Sequence, residues 1–536
     1  MDRIEELEKP NVLIVGAGPV GLLTANLLGR EGIPVLIIDQ NPGILEIPRA
    51  ISLDQDALRI LQASGLGEEA SKIMPSISWV EMISPYVGTL AKINSMGSMD
   101  GHPRLVSIYQ PDLERLLRKG LERFDHVRLW SECTYLTHVE SDSEIILKVK
   151  CNGTTYKIST GFLLGCDGAH SPIREKQGWK LKGSAYKEDW LILDVEDMPN
   201  VLSKVEFICD PKRPIAHVPG PGKSQRWEFL LKEGETREEM EKSEKVAELI
   251  RPWGELSSMK VQRKAVYRFQ AKTAECMGKG RVFLLGDAAH LTPPFAGQGL
   301  VSGMRDSFNL AWKIASVLRK EASRDILSSY NLERKPHAKK MIRLAVFLGS
   351  IIMTRSRIAA FFRDFLMIFL SFTPARPYLS DLRLKPDNSF GKGLFLKTNT
   401  LKKSSLSPGS IFPQAPLRLK EGNWELSDSL LGSNLCLVGY GADPSRNLSR
   451  SNIEIWKKMG GRILYISNQQ QDSEVISNSA EDVTSSFLKF FGGADRFAIV
   501  RPDKIVAAVF YGKELDDTIL RFAEIYQRKC HESITF

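Results

Sequence analysis

The first forty residues of the chain contain the feature that most limits its fold. A continuous apolar run at 11–15 is typical of a buried parallel strand, and the glycine-rich segment 16–21 follows it directly. An apolar helical pattern then leads to a second strand at 34–38, which ends at Asp39. Strand, glycine turn, helix, strand and acid in this order predict a βαβ unit that binds a dinucleotide.

The glycines of this unit have separate physical roles. Gly16 would make the tight turn, Gly18 would let a pyrophosphate approach the backbone, and Gly21 would let the helix pack closely on the strand. Pro19 and Val20 lie between them at the helix N-terminus, which faces the phosphates. We therefore expect all five residues to contribute to the cofactor site.

The residues after the second strand bear on the choice of cofactor. Asp39 can accept hydrogen bonds from a ribose, whereas Gln40 offers no positive charge for a 2′-phosphate. This argues against NADP at this site, and it leaves open whether the site binds NAD or FAD.

A second strand–loop–helix segment lies far along the chain. An apolar strand at 281–285 ends in Gly286-Asp287, and a loop containing Gly297 and Gly299 leads to a helical run at 304–318. Such a segment offers another helix start that can face an anion. A plain structural connection explains these glycines poorly, because ordinary capping residues would serve there.

These two motifs, with a third at 164–174, resemble the FAD-dependent aromatic hydroxylases, the class A flavoprotein monooxygenases. Four shorter segments, at 48–50, 109–114, 226–229 and 501–503, resemble the branch of 3-(3-hydroxyphenyl)propionate hydroxylases. The resemblance runs over nearly the whole chain and implies FAD as cofactor, with NADH or NADPH as a transient co-substrate.

The resemblance also implies the parts of the cofactor site. Asp287 would bond the ribityl and pyrophosphate region, Arg49 and Gln110 would reach the flavin side, and Pro293 with 297–300 would lie against the isoalloxazine ring. The 167–168 pair would serve both FAD and NAD(P)H. The residues expected to bind the cofactor are thus Gly16, Gly18, Pro19, Val20, Gly21, Asp39, Gln40, Arg49, Gln110, Asp167, Gly168, Gly286, Asp287, Pro293, Gly297, Gly299 and Leu300.

The implied reaction is hydroxylation of a phenolic ring by a flavin C4a-hydroperoxide formed from O2. The expected substrate resembles 3-(3-hydroxyphenyl)propionate; the alternative is the same chemistry on a polyketide or another polycyclic phenol. A flavin-binding protein without catalysis is the alternative from another class, and the intact motifs argue against it. Because a deprotonated or hydrogen-bonded phenol reacts more readily, Asp54 and Tyr267 are the candidate catalytic residues.

The domain prediction is a mixed α/β (α+β) protein. With the family resemblance, the pattern implies a Rossmann-like FAD-binding domain, an inserted mixed β-sheet substrate domain as in p-hydroxybenzoate hydroxylase, and a C-terminal thioredoxin-like domain without CxxC. That last domain would support packing or a homodimer. The intervals are 1–180 and 269–385 for the FAD-binding domain, 181–268 for the substrate domain, 386–410 for a linker and 411–536 for the last domain.

Composition removes other classes of function. A net charge of +9 with scattered lysines does not indicate a nucleic-acid partner. Seven scattered cysteines without a CxxC pair argue against a disulfide scaffold or a metal site and favour a reducing compartment. The acidic start is unlike a secretory signal, so we expect a cytoplasmic protein.

One apolar stretch, at 341–373, could be mistaken for a membrane segment. Its longest uncharged run, at 344–354, is about 11 residues, short of the ~20 that a spanning helix needs. We expect no integral membrane segment, and we expect buried helices that link two domains rather than contact with a membrane surface.

Overall fold

The computed structural model describes residues 5–6, 9–374, 385–397, 401, 403–467 and 479–527. Within these ranges the chain is a mixed α/β protein built on three large sheets. The predictions made on residues 1–4, on Lys402 and on Cys530 lie outside the described residues, as do parts of the expected linker and of the last domain.

The first large sheet, here the N-terminal sheet, has six strands. Its buried centre is Val12–Val15, which pairs in parallel with Val35–Ile38 on one side and Phe162–Gly165 on the other. Because these strands are parallel, their carboxyl ends meet at one edge of the sheet, and this confirms the predicted βαβ unit. In spatial order the strands are Val127–Trp130, Val35–Ile38, Val12–Val15, Phe162–Gly165, Val282–Leu284 and Gly278–Lys279.

The second large sheet, here the cover sheet, has eight strands. The expected 181–268 interval contributes its centre, but the hairpin Trp79–Ser84 and Gly88–Asn94 belongs to the same sheet, although the sequence intervals assigned it to the first domain. In spatial order the strands are His290–Leu291, Lys260–Ala274, Leu181–Glu196, Gln225–Leu230, Ile215–Pro219, Lys204–Ile208, Trp79–Ser84 and Gly88–Asn94.

The third large sheet, here the C-terminal sheet, has seven strands. Cys436–Tyr440 pairs in parallel with Arg462–Ser467 after the helix Arg450–Lys458, which is the βαβ unit expected near 434–466. In spatial order the strands are Trp424–Leu426, Pro416–Arg418, Ser479–Glu481, Arg462–Ser467, Cys436–Tyr440, Arg496–Val500 and Val506–Tyr511.

A smaller four-stranded sheet brings two of the seven cysteines together. Its strands are Glu5–Glu6, Thr154–Thr160, Ile145–Cys151 and Cys133–Glu140. Antiparallel pairing sets Cys133 directly opposite Cys151, with 4.2 Å between their Cα atoms, and the two form a disulfide. Nothing in the sequence indicates this pair, because strand register decides the contact and spacing along the chain does not.

The remaining elements connect and cover these sheets. Two two-stranded ribbons pair Ser52–Asp54 with Leu105–Ser107 and Ser98–Met99 with His102–Pro103. The helices are Pro19–Arg30, Gln55–Ala63, Gly67–Ile73, Gln110–Gly120, Pro172–Lys176, Arg237–Met240, Ser243–Ile250, Gly299–Leu318, Ser329–Ile352, Arg357–Ser371, Ser427–Leu431, Pro444–Asn447, Arg450–Lys458, Ser486–Phe491 and Leu515–Gln527.

The two helices that cover residues 341–373 differ in burial from the expected buried linking helices. The helix Ser329–Ile352 buries one side, but Arg357–Ser371 buries only Ala360, Asp364 and Met367. Among the described helices no single one is long and apolar enough to cross a membrane; one pair, 324–352 with 357–371, meets that test jointly and bends by 112°. The prediction of buried linking helices is wrong for the second helix.

A buried polar network joins the C-terminal sheet to the rest of the molecule. The Glu333 carboxylate accepts from Arg501 at 2.6 and 2.8 Å and from Lys313 Nζ at 2.7 Å. Arg501 also donates to Asp503, and Asn309 bridges Asp503 and Glu333. The 501–503 segment singled out from the sequence thus forms an interface within the chain.

Candidate cofactor and substrate site

A cavity of about 1010 Å³ lies between the carboxyl edge of the N-terminal sheet and the cover sheet. Its size is at the upper end of the range for sites that enclose small ligands. Fifteen of the seventeen predicted cofactor residues line it, and the two that do not are Gly21 and Pro293. Of the two catalytic candidates, Asp54 lines the cavity and Tyr267 does not.

The glycine turn at 16–21 has the geometry that a phosphate needs. Gly16 has a φ of +104°, and a Cβ on it would lie 2.3 Å from the carbonyl oxygen of Cys166. A Cβ on Gly21 would lie 2.0 Å from the carbonyl oxygen of Gly16, so this glycine serves helix packing and not the cavity wall. By contrast, no atom lies within 4 Å of the Cβ position of Gly18, which leaves open space at the start of the helix.

Asp39 stabilises this turn and still faces the cavity. Its carboxylate accepts from the Ala17 N–H at 2.6 Å and from the Asn41 N–H at 2.8 Å. The Asn41 side-chain amide also donates to it at 2.9 Å, so of the roughly four acceptor positions of a carboxylate one remains for a ribose hydroxyl.

The start of the helix Gly299–Leu318 faces the same cavity from the other side. A short turn at 294–296 ends at Gly297, whose φ of +61° is left-handed, and the helix follows with no side chain capping its first N–H groups. The helix begins five residues before the predicted Met304, so Gly299 is its first residue and Gly297 lies just before its N-cap. Unpaired N–H groups and the positive end of the helix dipole therefore point at the cavity.

Asp54 is held in a charged network at this helix start. Its carboxylate accepts from Gln298 at 2.9 Å, lies 3.2 Å from Arg305 and 2.7 Å from Lys385, and caps the helix Gln55–Ala63. Burial raises the pKa of Asp54, but Lys385 and Arg305 outweigh burial, and the pKa is lowered below its ordinary value. An ionised carboxylate with several donors is a weak general base at neutral pH, so its geometry suits holding Gln298 in place.

Two other predicted residues do not offer a polar group to the cavity as expected. Gln110 accepts from the Ala50 N–H at 2.7 Å and donates to Glu114 at 2.7 Å, so it positions the segment at 48–50. Tyr267 is 43% exposed on the cover sheet, with its ring 4.8 Å from the Arg263 guanidinium. The structure does not bring Tyr267 to the cavity.

Arg226, which the sequence analysis left without a role, clamps the same 48–50 segment. Its guanidinium donates to the carbonyl oxygens of Pro48 at 2.5 Å and Arg49 at 2.6 Å, and it pairs with Asp194 at 2.6 Å. All of these groups but Arg49 are buried. This arrangement fixes the backbone that presents Arg49 to the cavity.

Glu228 is a titratable group that the sequence analysis missed. It is 7% exposed, lines the cavity from the strand Gln225–Leu230, and accepts no hydrogen bond from the described part of the chain. Burial raises its pKa to about 7 despite the nearby Arg226. A carboxyl group that titrates near neutrality at a cavity wall is suited to proton exchange. The strand Gln225–Leu230 also contains Gln225 and Arg226, so a further polar residue in it gave no signal in the sequence.

Arg104 is the second residue that the sequence analysis missed. It lines the cavity beside Leu105, which packs on Ile51 and Phe207 at the cover-sheet end. Its buried Nε has no hydrogen-bond partner among the described residues. A guanidinium with a free donor beside an apolar wall can bind a carboxylate.

The cavity therefore fits an extended dinucleotide with a flat ring at one end. It combines an open glycine turn with a ribose-binding carboxylate at one end and an uncapped helix start beside an apolar wall at the other. The FAD binding domain family matches residues 9–345, which is more than half of the chain. The chain belongs to the FAD-dependent aromatic hydroxylases.

Relatives of this hydroxylase cover nearly its whole length. A 3-(3-hydroxy-phenyl)propionate/3-hydroxycinnamic acid hydroxylase of Shigella sonnei is 31% identical over 523 residues, covering 96% of this chain and 94% of the relative. Its counterpart in Burkholderia cenocepacia is 33% identical over 515 residues, with 93% and 94% covered. The HcaD C-terminal domain family matches residues 409–525.

Solved structures agree with the fold of the hydroxylase. The flavin-dependent monooxygenase PieE, in complex with FAD and substrate, aligns with a TM-score of 0.82 at 19% identity, over 97% of this chain and 100% of that one. Aklavinone-11 hydroxylase with FAD and aklavinone aligns with a TM-score of 0.76 at 21% identity, over 98% and 100%. The cofactor of this enzyme is FAD, and its reaction is oxygenation of an aromatic ring.

Proposed function

We propose that FAD lies along the cavity with its adenosine diphosphate half at the glycine turn. The open space at Gly18 and the remaining acceptor position of Asp39 support this half of the placement. The uncapped start of Gly299–Leu318 would stabilise the negative N1–C2=O edge of reduced flavin, because free N–H groups and a positive dipole end lie there. Asp54, through Gln298, keeps this helix start in position.

We propose that the reaction consumes NADH or NADPH, O2 and a proton and yields a hydroxylated ring, NAD(P)+ and water. FAD, reduced by NAD(P)H, supplies the activation of O2 for transfer of one oxygen atom. The protein excludes water with the apolar wall of the cover sheet and positions the ring against the helix start. The exposed Asp287 and the 167–168 turn, both at the cavity, are proposed to contact the cofactor.

For the substrate we propose a phenol with a carboxylate side chain, like 3-(3-hydroxyphenyl)propionate. The names of the relatives support this class, and Arg104 offers the matching charge at the cover-sheet end of the cavity. We further propose that Glu228 exchanges a proton with the phenol hydroxyl at its carboxylate oxygen, since it lines the same cavity.

The test measures NADH and NADPH oxidation by the purified holoenzyme, together with the hydroxylated product. We expect 3-(3-hydroxyphenyl)propionate or 3-hydroxycinnamate to stimulate oxidation and to be hydroxylated. The Arg104→Met variant should raise KM for these acids at least about tenfold while leaving kcat nearly unchanged, because it removes a charge-assisted hydrogen bond. The corresponding methyl ester is the control, since the wild type and the variant should treat it alike.

The same chemistry on a polycyclic phenol is the second candidate. The fold similarity to PieE and to aklavinone-11 hydroxylase over nearly the whole chain favours it, as does the size of the cavity. Hydroxylation of a polycyclic phenol with no response to the propionate would support this candidate. Oxidation of NAD(P)H that no ring compound stimulates would contradict both.

We also propose the finer details of the domain architecture, the location and the assembly of the enzyme. The βαβ unit at 436–467, followed by the antiparallel pair Arg496–Val500 and Val506–Tyr511 and a last helix, supports a thioredoxin-like C-terminal domain. The position of the cover sheet over the cavity supports a p-hydroxybenzoate hydroxylase-like arrangement. A role in aromatic compound catabolism, a cytoplasmic location and a homodimer are predictions that rest on the sequence alone.

A further inference from the structure

The helix Arg357–Ser371 presents an apolar surface to solvent. Six large side chains on it or just after it are between 56% and 85% exposed, and we call them the aromatic face: Ile358, Phe361, Phe362, Phe365, Phe369 and Phe372. Every exposed residue from 358 to 374 is apolar. Single exposed hydrophobic residues are ordinary, but a contiguous set of this kind marks a surface that binds something.

Two polar side chains of this helix, Arg363 and Asp364, point inward and fix its orientation. Asp364 is buried and accepts from the Ser84 hydroxyl at 2.6 Å, while Arg363 donates to the Cys209 carbonyl oxygen at 2.9 Å. Met367 belongs to the hydrophobic cluster that contains Trp190. Rotating the helix to bury its phenylalanines would break these buried bonds, so the outward aromatic face is a stable property of the fold.

The charges around the aromatic face have one sign. Residues 339–374 are all described, and their exposed charged side chains are Lys339, Lys340, Arg343, Arg355 and Arg357. The only acid in this interval is the buried Asp364, and Arg355 is also 3.7 Å from Glu188, which lies outside the interval. A partner for this surface should therefore be apolar where it meets the phenylalanines and negatively charged around them.

The preceding helix, Ser329–Ile352, also exposes apolar and cationic side chains. Its exposed Val346 and Phe347 follow Arg343 by about one turn, so cations and apolar groups lie next to each other. On another side of this helix, Leu348 and Ile352 line the cavity. The candidate surface and the substrate cavity thus share one helix.

We propose that this surface docks on a lipid bilayer with anionic headgroups. The aromatic face would enter the boundary between headgroups and acyl chains, and the lysines and arginines would contact the headgroups, as in amphipathic helices that lie in the membrane plane. A second copy of the chain fits less well, because an interface with two-fold symmetry sets the same cationic patch against itself. The proposal does not depend on the substrate, since it rests on a surface outside the cavity.

The experiment is co-sedimentation of the FAD-loaded enzyme with vesicles of phosphatidylcholine alone or mixed equally with phosphatidylglycerol. We expect binding to the mixed vesicles and weaker binding at high salt. Removing one cation, as in Arg343→Gln, should weaken binding about fivefold. The triple variant Phe362→Ser, Phe365→Ser, Phe369→Ser should lose binding by about a hundredfold or more, because each lost phenylalanine removes apolar area from the docked surface.

A matched control is Val139→Ser with Val201→Ser, which removes two exposed apolar side chains far from this surface in the sequence. It should bind vesicles like the wild type. Flavin absorbance and NAD(P)H oxidation without vesicles check that each variant is folded. The proposal is overturned if the wild type stays in solution with both kinds of vesicle, or if the triple variant binds as well as the wild type. It is also overturned if the wild type is a dimer that binds no vesicles and that the triple variant makes monomeric.

Discussion

Replacing Glu333 by glutamine should loosen the C-terminal sheet from the rest of the enzyme. The Glu333 carboxylate is fully buried and accepts five hydrogen bonds, two from Arg501 and one each from Lys313, Asn309 and the Leu394 N–H, at 2.6–2.8 Å. Glutamine has nearly the same shape, but its NH2 group would face donors on whichever side it points. Two buried cations would also lose their shared anion.

The size of the effect follows from this geometry. Removing one partner from a buried ion pair costs about 3–5 kcal/mol of folding free energy. For a unit of the size of the C-terminal sheet and its helices, that corresponds to a fall of about 10 °C in unfolding temperature. Thermal unfolding of the holoenzyme, followed by tryptophan fluorescence, is a suitable assay because Trp312 lies 5.3 Å from the Arg501 guanidinium.

The loss of stability in Glu333→Gln should also depend on pH. Burial lowers the pKa of Lys313 from 10.5 to about 8, even though Glu333 opposes the shift. The unfolded chain binds the extra proton between these values, so this group makes stability rise with pH across that window. In Glu333→Gln the pKa of Lys313 should fall further, because the Glu333 charge that opposes the shift is gone. The pH range over which stability rises then extends below pH 8, so the difference in stability between wild type and variant should shrink as pH rises through neutrality.

A control variant separates this network from ordinary surface pairs. Glu481→Gln removes an ion pair with Arg418 at 2.6 Å whose side chains are 19% and 32% exposed, and it should cost less than about 1 kcal/mol. If Glu333→Gln unfolds within about 2 °C of that control, the reasoning about the buried network is refuted.

Three further outcomes test the site. Gly18→Val should fold but bind FAD about 10–100-fold more weakly by flavin fluorescence titration, since it fills open space meant for a phosphate, whereas Gly391→Val, at an equally open position, should not. Arg226→Met should lower the free energy of unfolding, measured in urea, by about 3 kcal/mol, because Asp194 and two carbonyl oxygens lose their donor. Arg226→Lys should retain part of this stability. Equal losses of stability in the two variants would count against the clamp. Glu228 has a pKa of about 7 in the folded protein against 4.5 in the unfolded chain, so it makes stability fall as pH rises between these values. Glu228→Gln should remove up to about 3 kcal/mol of that decline, and it should also remove the inflection of kcat/KM near pH 7. An unchanged pH profile of kcat/KM would exclude the proposed proton exchange.

The cofactor half of the site could be predicted because its chemistry limits the residues that can occupy it. Gly16 needs a positive φ beside a backbone carbonyl, and Gly21 needs the close approach of a helix. No other residue meets these conditions, so the requirement is visible in the sequence. The same holds for Asp39, because a carboxylate must end the second strand.

The substrate half could not be predicted, because it depends on which face of each strand meets the cavity. Glu228 and Arg104 are unremarkable in their local sequence and gain their setting only from sheet packing. Tyr267 lies in the same sheet, two strands away from Glu228, and is outside the cavity. The helix at 357–371 shows the same limit, since an apolar pattern gives no sign of whether its apolar side faces the core or the solvent.

The cover sheet is formed by two distant segments of the chain, and this affects how the enzyme folds during translation. Trp79 pairs with Lys204, so the hairpin at 79–94 must wait on the ribosome until its partner strand emerges. During that interval Met82, Leu90 and Ala91, which are buried in the finished protein, lack their packing partners. The local βαβ unit can form early, whereas the cavity is complete only after the helix Gly299–Leu318 has been made. Nascent chains of intermediate length should therefore bind chaperones through this hairpin and should acquire flavin only late in translation.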